Sequence, residues 1–389
     1  MTANLTKKEI FFKLLNKKEV WIIIIGFGLI IKLFMFPVKL GDYNFYLKPW
    51  IDFIKDNGYS SSLKYNFYNY TPSYIYILIA LAKIGFNPLY SIKFISIIFE
   101  YLLAYFIGKI VCLESGNKLR LWISIAIVPL IPTILINGAL WGQCDSIYAA
   151  FVVASIYFIL KEKQFISILF LGLAFVFKIQ TVFIFPFYFV LLLQGKIKYY
   201  YFLLIPIIYF ISILPPWFYG RHLNELITIY FSQSDYYQML TVFFPNIYIW
   251  ISNSYYHQFK LAGFSLTFLI TLLSGIFISQ KRFHFTLESY IKLAFLSVII
   301  IPFILPGMHE RYLYLGDVIA LLYLLVIQKN IYLSLGIILV SFYSYLCCSR
   351  LQSILPLWPA FYLYLLIIVL SIKDFWKSLK NNSIQIKNK

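Results

Sequence analysis

Residues 20–43 read VWIIIIGFGLIIKLFMFPVKLGDY, an apolar run that leads directly into a polar cluster. Residues 20–36 contain a single ionisable side chain, that of Lys32. A helix of this length is close to the minimum of roughly 17 residues that crosses the hydrocarbon core of a bilayer. Comparable apolar runs recur along the chain, for example at 287–305 and 355–372. The stretch therefore predicts a transmembrane helix that ends beside polar residues.

The composition fits the same class over the whole chain. Of its 389 residues, 61% are hydrophobic and 12% are charged, whereas a soluble domain has about 25% charged residues. We therefore predict an all-α polytopic membrane protein with a single domain over residues 1–389. The lipid bilayer is an expected partner, and the expected location is the plasma membrane.

The net charge of +18 does not indicate a nucleic-acid-binding protein. The lysines and arginines form short clusters between apolar runs rather than one basic face, which is typical of the cytoplasmic loops of membrane proteins. No nucleic acid is expected as a partner. Residues 1–19 and 373–389 are basic, which predicts that both termini are cytoplasmic. Residues 1–19 also lack the features of a cleaved signal peptide.

The basic clusters predict a topology in which twelve helices cross the membrane. The segment 72–86 has 15 residues, too few to span, and we interpret it as a juxtamembrane or re-entrant helix within a first outer loop at 39–86. A second large outer loop is predicted at 218–258, with an amphipathic helix at 223–231. The predicted spans are 20–38, 89–111, 121–137, 146–160, 165–177, 181–193, 199–217, 259–279, 287–305, 312–327, 331–347 and 355–372.

Three short polar clusters lie at the ends of these spans, and the topology places all of them on the extracytoplasmic side. Ionisable groups beside a bilayer core are costly, so by default they indicate a functional site. Together they would form one pocket that contains the carboxylates of the two aspartates, a cation and aromatic rings. The clusters are residues 41–43 (GDY), 141–145 (WGQCD) and 309–312 (HERY).

The two aspartates of these clusters are candidate catalytic residues. Asp42 can accept a proton from an attacking hydroxyl, or orient that hydroxyl; the alternative is a loop residue that caps a helix beginning near residue 44. Asp145 can hold a sugar hydroxyl together with Gln143, while the indole of Trp141 stacks on the sugar ring. The alternative for Asp145 is an acidic residue that the helix dipole favours at the start of a span.

Several other side chains are candidate substrate-binding groups. The guanidinium of Arg311 can clamp a phosphate, unless it only pairs with Glu310, and a protonated His309 can do the same or position the acceptor. Lys178 either extends to the membrane interface or contacts the donor phosphate. Tyr70 lies in a turn before the segment 72–86 and can line the pocket. The full set of candidate substrate-binding residues is Tyr43, Tyr70, Trp141, Gln143, Lys178, Gln180, His309, Glu310, Arg311 and Tyr312.

The sequence contains no spacing of His, Cys and carboxylates that is typical of a metal site. The chain has 4 His, and no metal ligand is assigned. A divalent cation, Mg²⁺ or Mn²⁺, between Asp42 and Asp145 stays open as an alternative, because a phosphate donor can bring one.

With these clusters in this order, the chain resembles the integral-membrane GT-C glycosyltransferases, in particular the bacterial proteins similar to GPI-anchor mannosyltransferases. Residues 69–74 (NYTPSY) and 172–174 (GLA), followed by Lys178 and Gln180, add to the resemblance. The resemblance implies the GT-C fold, with juxtamembrane helices in the first outer loop. It also implies a polyprenyl-phosphate monosaccharide as donor, Asp42 as the base of an inverting transfer, and a second acid at 145 that supports the acceptor or a metal.

The chain departs from the family in length, since it ends soon after the last predicted span. Recognition of the acceptor is therefore expected to fall to the membrane cavity and the loop 218–258.

We therefore expect a hexosyltransferase that moves a sugar from an undecaprenyl-phosphate carrier to an envelope glycan, lipid or protein acceptor on the extracytoplasmic face. One alternative is a transporter or flippase of lipid-linked sugars, a class that places charges near the bilayer midplane on broken helices, often with internal repeats. Another is a polysaccharide polymerase or ligase, which a large outer loop rich in Arg and His would favour. The loop 218–258 contains only three such residues, Arg221, His222 and His257, so it is not rich in Arg and His.

Overall fold

The apolar runs of the sequence form helices, as expected where backbone groups must bond within their own segment. A computed structural model describes residues 15–280, 283–349 and 354–387, and nearly all of the regular structure there is helical. Within those residues, six helices are long and apolar enough to cross a membrane: Pro88–Ser115, Tyr199–Phe218, Asn253–Ile278, Leu287–Ile304, Ile331–Cys348 and Trp358–Asn382. The chain is thus an all-α protein with the helices of a polytopic membrane protein, in agreement with the predicted class.

The elements are numbered in chain order. The α-helices of the first half are α1 (Lys18–Met35), α2 (Lys48–Asp56), α3 (Pro72–Ile84), α4 (Pro88–Ser115), α5 (Leu119–Ile127), α6 (Pro132–Leu135), α7 (Asp145–Leu160), α8 (Gln164–Phe177) and α9 (Phe185–Leu193). Those of the second half are α10 (Leu204–Phe218), α11 (Leu223–Ile227), α12 (Ile229–Ser234), α13 (Tyr256–Ile278), α14 (Leu287–Ile304), α15 (Tyr314–Ile327), α16 (Ile331–Cys348) and α17 (Trp358–Lys387). Two short strands, β1 (Thr241–Val242) and β2 (Met308–His309), pair in parallel.

A short helix occupies the segment predicted to be juxtamembrane or re-entrant. Helix α3 begins at Pro72, whose missing N–H is no loss in the first turn of a helix. It ends before Gly85, which has a φ of +83°, a left-handed conformation that glycine adopts easily. Its 13 residues are too few to cross a hydrocarbon core. The short helix is therefore present, and its location at the membrane surface stays a prediction.

Two predicted helices are interrupted in the structure. The span predicted at 121–137 consists of two segments, Leu119–Leu130 and Pro132–Leu140, that are bent by 61°. Pro132 cannot continue a helix because it lacks an N–H and its ring clashes with the preceding turn. The amphipathic helix predicted at 223–231 is divided at Thr228 into α11 and α12. The Thr228 hydroxyl donates to the Asn224 carbonyl over 2.8 Å, a local bond that competes with the helix backbone.

Short apolar helices fill the interior of the bundle. Helix α7 packs along α4 and α8, and α15 packs against α14 and α16; both α7 and α15 are buried over most of their residues. Among the described residues, five apolar helices have only 10–17 residues, so the number of twelve spans stays a prediction. By contrast, the spans that contain α10 and α13 lie at the edge of the bundle, where 11% of each apolar window is buried.

Candidate functional site

A cavity of about 750 Å³ opens where six connecting segments meet. These are the loop after α1, the segment before α3, the segment before α7, the connection from α8 to α9, the loop between α12 and α13, and the turn between α14 and α15. One part of the wall is polar and contains Asp42 and Arg311, whereas the other part is apolar and is formed largely by α10, α13 and the 3₁₀-helix Ile179–Ile184. The cavity thus has the two-sided lining that an amphiphilic ligand needs.

The parallel pairing of β1 with β2 joins the large loop after α12 to the turn after α14. Immediately before β2, Gly307 has a φ of +74°, a conformation that strains any residue with a side chain. The N–H of Gly307 donates to the carbonyl of Leu240 over 2.8 Å. The large loop thereby holds residues 309–312 against the cavity.

Asp42 lies in the cavity wall, at the start of a π-helix (Tyr43–Leu47) that leads into α2. The side-chain amide of Gln143 donates to Oδ2 of Asp42, and Nη1 of Arg311 lies 3.5 Å from the same oxygen. The carboxylate is 26% exposed and makes no capping hydrogen bond to the helix. It is therefore held by two side chains and open to the cavity, and it does not act as the helix cap considered from the sequence.

Asp145 is the first residue of α7, and its carboxylate is buried behind the cavity wall. The Lys178 ammonium and the Asn137 side-chain amide both donate to it, the latter over 2.8 Å. Lys178 itself lines the cavity, with Nζ 5.9 Å from the ring centroid of Tyr70. The lysine therefore forms a buried ion pair at the cavity wall.

Arg311 links the polar groups of the wall. Its Nη1 lies 2.8 Å from Oε1 of Glu310 as well as 3.5 Å from Asp42, and its guanidinium carbon lies 5.9 Å from the ring centroid of Trp141. Its Nε is buried and has no hydrogen-bond partner among the residues that the structure describes. The local ion pair with Glu310 is present, and the same guanidinium also lines the cavity.

His309 packs against two aromatic rings, with centroids 4.9 Å from that of Tyr237 and 5.1 Å from that of Tyr312. Burial, together with the positive charges of Arg311 and Lys178, lowers the pKa of His309 from 6.5 to about 3. The imidazole is therefore neutral at physiological pH. Of the two roles considered for His309 from the sequence, a neutral imidazole favours positioning the acceptor over contact with the phosphate, and the choice between them stays a prediction.

The structure brings most of the predicted site residues to the cavity and leaves the others behind its wall. Those that line it are Asp42, Tyr70, Gln143, Lys178, Gln180, His309, Arg311 and Tyr312. Behind the wall, Asp145 and Glu310 pair with basic side chains, and Tyr43 packs in an apolar cluster beneath the first loop. Trp141 does not line the cavity, because its indole packs edge-on against Tyr345 at a centroid distance of 5.4 Å.

Other cavity residues were not singled out from the sequence. Tyr46 and Trp50 both line the cavity, and their ring centroids are 6.1 Å apart. Their spacing of four positions, which puts two aromatic rings on one helical face, was a signal for this pair. Asn137, which holds Asp145 behind the cavity wall, was detectable only as a polar residue at the end of an apolar run. The position of Tyr237 depends on the path of a long loop, which sequence periodicity does not record.

The two aspartates do not form a ready site for a divalent cation. Such an ion would have to displace Gln143 and Arg311 from Asp42 and Lys178 from Asp145. Within the described ranges, no group of three or more His, Cys, Asp or Glu residues converges. The Mg²⁺ or Mn²⁺ alternative stays a prediction.

No protein-family model, curated protein or solved structure matches the chain. The residues of the cavity and their geometry therefore carry the functional assignment. Three features matter most: the open carboxylate of Asp42, the neighbouring guanidinium of Arg311, and the apolar part of the wall.

Proposed function

We propose that this chain is an integral-membrane glycosyltransferase of the GT-C type, which transfers a hexose from a polyprenyl-phosphate carrier to a hydroxyl group. The observation that carries the proposal is the position of Asp42. Its carboxylate faces the cavity, is held by Gln143, and lies 3.5 Å from Arg311. A base and a cation at the polar end of an apolar cavity suit a hydroxyl, a phosphate and a long hydrocarbon chain.

The apolar part of the wall supports a lipid-linked donor. Ile205 and Phe210 of α10 and Phe264 of α13 contribute to it. Because the spans that contain α10 and α13 are the least buried of the six candidate spans among the described residues, a lipid chain in this part of the cavity would be close to the surrounding bilayer.

In the proposed reaction, the acceptor hydroxyl attacks the anomeric carbon of the sugar. Asp42 takes the hydroxyl proton as the new carbon–oxygen bond forms. The bond from the anomeric carbon to the phosphate oxygen breaks, and its electron pair stays on the phosphate. Attack from the side opposite the phosphate inverts the anomeric configuration. Arg311 stabilises the negative charge of the departing polyprenyl phosphate.

Lys178 and Asp145 have a supporting role in this proposal. An unpaired buried ammonium is unfavourable by several kcal/mol, and the carboxylate of Asp145 removes that cost at the cavity wall. Lys178 can then contact the donor phosphate while it stays paired. Asp145 accordingly positions Lys178 and does not act as a second base, which modifies the catalytic role expected for it from the sequence.

The arrangement in the membrane is part of the same proposal. Twelve crossing helices, cytoplasmic termini and a cavity on the extracytoplasmic face of the plasma membrane agree with the distribution of basic clusters in the sequence. The donor would then be an undecaprenyl-phosphate hexose that faces outward.

The proposal is tested by donor turnover with the purified full chain in lipid nanodiscs. A panel of polyprenyl-phosphate hexoses is offered together with an envelope-glycan extract. Asp42→Asn keeps the shape of the side chain and removes the base, so transfer should fall by about 10²–10⁴-fold. The matched control is Asp52→Asn, which changes an exposed acid of α2 that pairs with Lys48 at 2.5 Å. Undiminished transfer by Asp42→Asn would show that Asp42 is not the base. If no donor of the panel is consumed, the chain is not a transferase for these donors.

A second candidate function, a transporter of lipid-linked sugars, is favoured by one observation. Lys32 of α1 and Glu100 of α4 form an ion pair in which both side chains are fully buried, and a bent helix pair (Leu119–Leu130 and Pro132–Leu140) lies next to α4. Buried charges and broken helices are typical of transporters. Movement of a fluorescent polyprenyl-phosphate sugar between leaflets of proteoliposomes, without donor consumption, would favour this function.

A further inference from the structure

We propose that the rim of the cavity, where the π-helix Tyr43–Leu47 meets residues 233–238, is an acceptor site for an uncharged saccharide. This inference rests on the proposed function, because it names the chemical class of the acceptor in that reaction. It is carried by the aromatic side chains at the rim and by the pairing of the charged groups around it.

Aromatic rings approach the rim from two sides. Tyr46 belongs to the π-helix, four residues after Asp42, and packs on Trp50 with centroids 6.1 Å apart. On the other side, Tyr237 of the large loop packs on His309 at 4.9 Å. The hydroxyls of Tyr46 and Tyr237 are hydrogen-bonded at 2.8 Å, so the two sides meet near the candidate base.

The aromatic rings become less exposed from the outer rim toward the interior of the cavity. Tyr236 and Tyr237 are 54% and 48% exposed, whereas Trp50 is 7% exposed, and all three line the cavity. A tyrosine offers a broad apolar face together with a polar tip, and it loses little conformational entropy on binding. The C–H face of a sugar ring packs well on such a surface while its hydroxyls reach the polar tips.

The uncharged polar groups of the lining fit the same ligand. Five side-chain amides line the cavity: Asn69, Gln143, Gln180, Gln233 and Gln238. Each amide offers donors and an acceptor, which matches the two-way hydrogen bonding of a hydroxyl group. A saccharide acceptor is the ligand class that presents many such hydroxyls without a charge.

The charged groups near the rim already have partners. Lys260 of α13 is paired with Asp235, and Lys178 is paired with Asp145. Arg311 is assigned to the phosphate of the donor. At the rim itself the charges of Lys260 and Asp235 offset each other, so this part of the cavity presents no excess charge of the sign that an anionic acceptor or a basic peptide would need. The pairing therefore favours an uncharged acceptor over both.

The bond between the Tyr46 and Tyr237 hydroxyls must open when a saccharide occupies the rim. A neutral hydrogen bond contributes only about 1 kcal/mol net, and the saccharide hydroxyls replace it. The ring and the hydroxyl of each tyrosine therefore have different roles. The ring provides the surface that binds the saccharide, and the hydroxyl bonds to the other tyrosine when no saccharide is present. Replacement by Phe keeps the ring, and replacement by Leu removes it.

Binding is measured on the full chain in nanodiscs by saturation-transfer NMR, without any donor. The probes are a neutral hexose tetrasaccharide, an acidic tetrasaccharide of uronic acids, and a Ser-rich basic peptide. The neutral probe should bind best. Tyr46→Leu and Tyr237→Leu should weaken its binding by about tenfold, whereas the two Phe variants should change it by less than about threefold. The matched control is Tyr332→Leu, which alters a tyrosine that is 56% exposed and does not line the cavity.

Preferred binding of the acidic probe or the peptide would overturn the inference, as would equal effects of the Tyr332→Leu control and the rim variants. A donor-hydrolysis assay without acceptor separates this inference from the proposed function. If the donor is hydrolysed but the neutral saccharide neither binds nor receives the sugar, the acceptor inference is wrong and the transferase stands. If the neutral saccharide binds, the Leu variants weaken that binding and the Phe variants do not, but no donor is consumed, then the saccharide site is supported and the proposed transferase function is wrong.

Discussion

Gly138 lies between two buried ionic sites. It belongs to the π-helix Ile136–Leu140, and a Cβ at this position would overlap Oε1 of Glu100, whose other oxygen pairs with Lys32. The preceding residue, Asn137, donates to Asp145. The missing side chain of glycine thus allows the chain that holds Asp145 to pass directly against the Lys32–Glu100 pair.

Gly138→Ala should therefore destabilise the protein. The added methyl group has to displace a buried, paired carboxylate, and overpacking of this kind lowers the free energy of unfolding by about 1–3 kcal/mol. Thermal unfolding in detergent measures the change. Gly26→Ala is the control, because no atom lies within 4 Å of the position of its Cβ, and it should be close to neutral. Equal stability of the two variants would contradict the close approach at Gly138.

His309 should make the stability of the protein sensitive to acid. Its pKa is about 3 in the folded state and 6.5 without the fold, so between these values the unfolded chain binds a proton that the folded chain does not. This contribution is complete above pH 6.5 and is lost as the pH falls toward 3, by at most about 1.4 kcal/mol per pH unit.

We expect His309→Gln to lose this part of the acid dependence. The measurement is the free energy of unfolding between about pH 4 and pH 8, in the same detergent for each variant. His257→Gln, which replaces an imidazole on an exposed residue of α13, should keep the dependence of the wild type. Identical pH profiles for the wild type and His309→Gln would show that the imidazole is not buried as described.

The end of α1 is held by a lysine of α4. Nζ of Lys93 donates to three carbonyl oxygens at distances of 2.8–3.2 Å, those of Met35, Phe36 and Val38. The last carbonyls of a helix lack partners within the helix, and here one buried ammonium reaches the carbonyl of the last residue, that of the C-cap Phe36 and that of Val38 just beyond. Because Asp42 follows only four residues after Val38, Lys93 fixes the chain that carries the candidate base.

Lys93→Met should remove the ammonium from all three carbonyls and lower the free energy of unfolding by about 1.5–3 kcal/mol. Hydrogen exchange of the segment 36–43 should also become faster, since the loop loses its anchor. Lys109→Met on the same helix is the control, because Nζ of Lys109 lies over the rings of Tyr105 and Tyr157 at 6.0 and 5.9 Å. If the hydrogen exchange of residues 36–43 in Lys93→Met is as slow as in the wild type, Lys93 does not position Asp42.

The sequence predicts where helices end better than which side chains meet. Hydropathy marks the ends of apolar runs, and the parity of spans predicts that residues 41–43, 141–145 and 309–312 share one side of the bundle. The partner of Glu100 is different: Lys32 lies 68 positions away, and hydropathy does not record how two helices rotate against each other. The π-helix Tyr43–Leu47 also escaped prediction, because its aromatic residues fit an ordinary helix equally well.

For the whole molecule, the division of the cavity into a polar and an apolar part is the most consequential feature. The polar part collects loops from distant parts of the chain, whereas the apolar part is formed by helices at the edge of the bundle. In the proposed reaction, the two parts bind different portions of one donor. The sugar and phosphate determine the chemistry, and the lipid chain adds binding energy at a distance from the reacting atoms.

Turnover should therefore depend on the length of the lipid chain, and a residue of the apolar wall should control that dependence. Phe210 of α10 lines the cavity and is 44% exposed, so its replacement is compatible with the fold. We expect Phe210→Gln to lower kcat/KM for a long-chain donor by about 3- to 10-fold, because a polar amide would face the lipid chain, and to leave a ten-carbon donor almost unaffected. The control is Phe218→Gln on the same helix, where the side chain is 77% exposed and does not line the cavity. If Phe210→Gln lowers kcat/KM equally for long-chain and ten-carbon donors, the lipid chain binds elsewhere. The assignment of Asp42 as the base does not depend on this result.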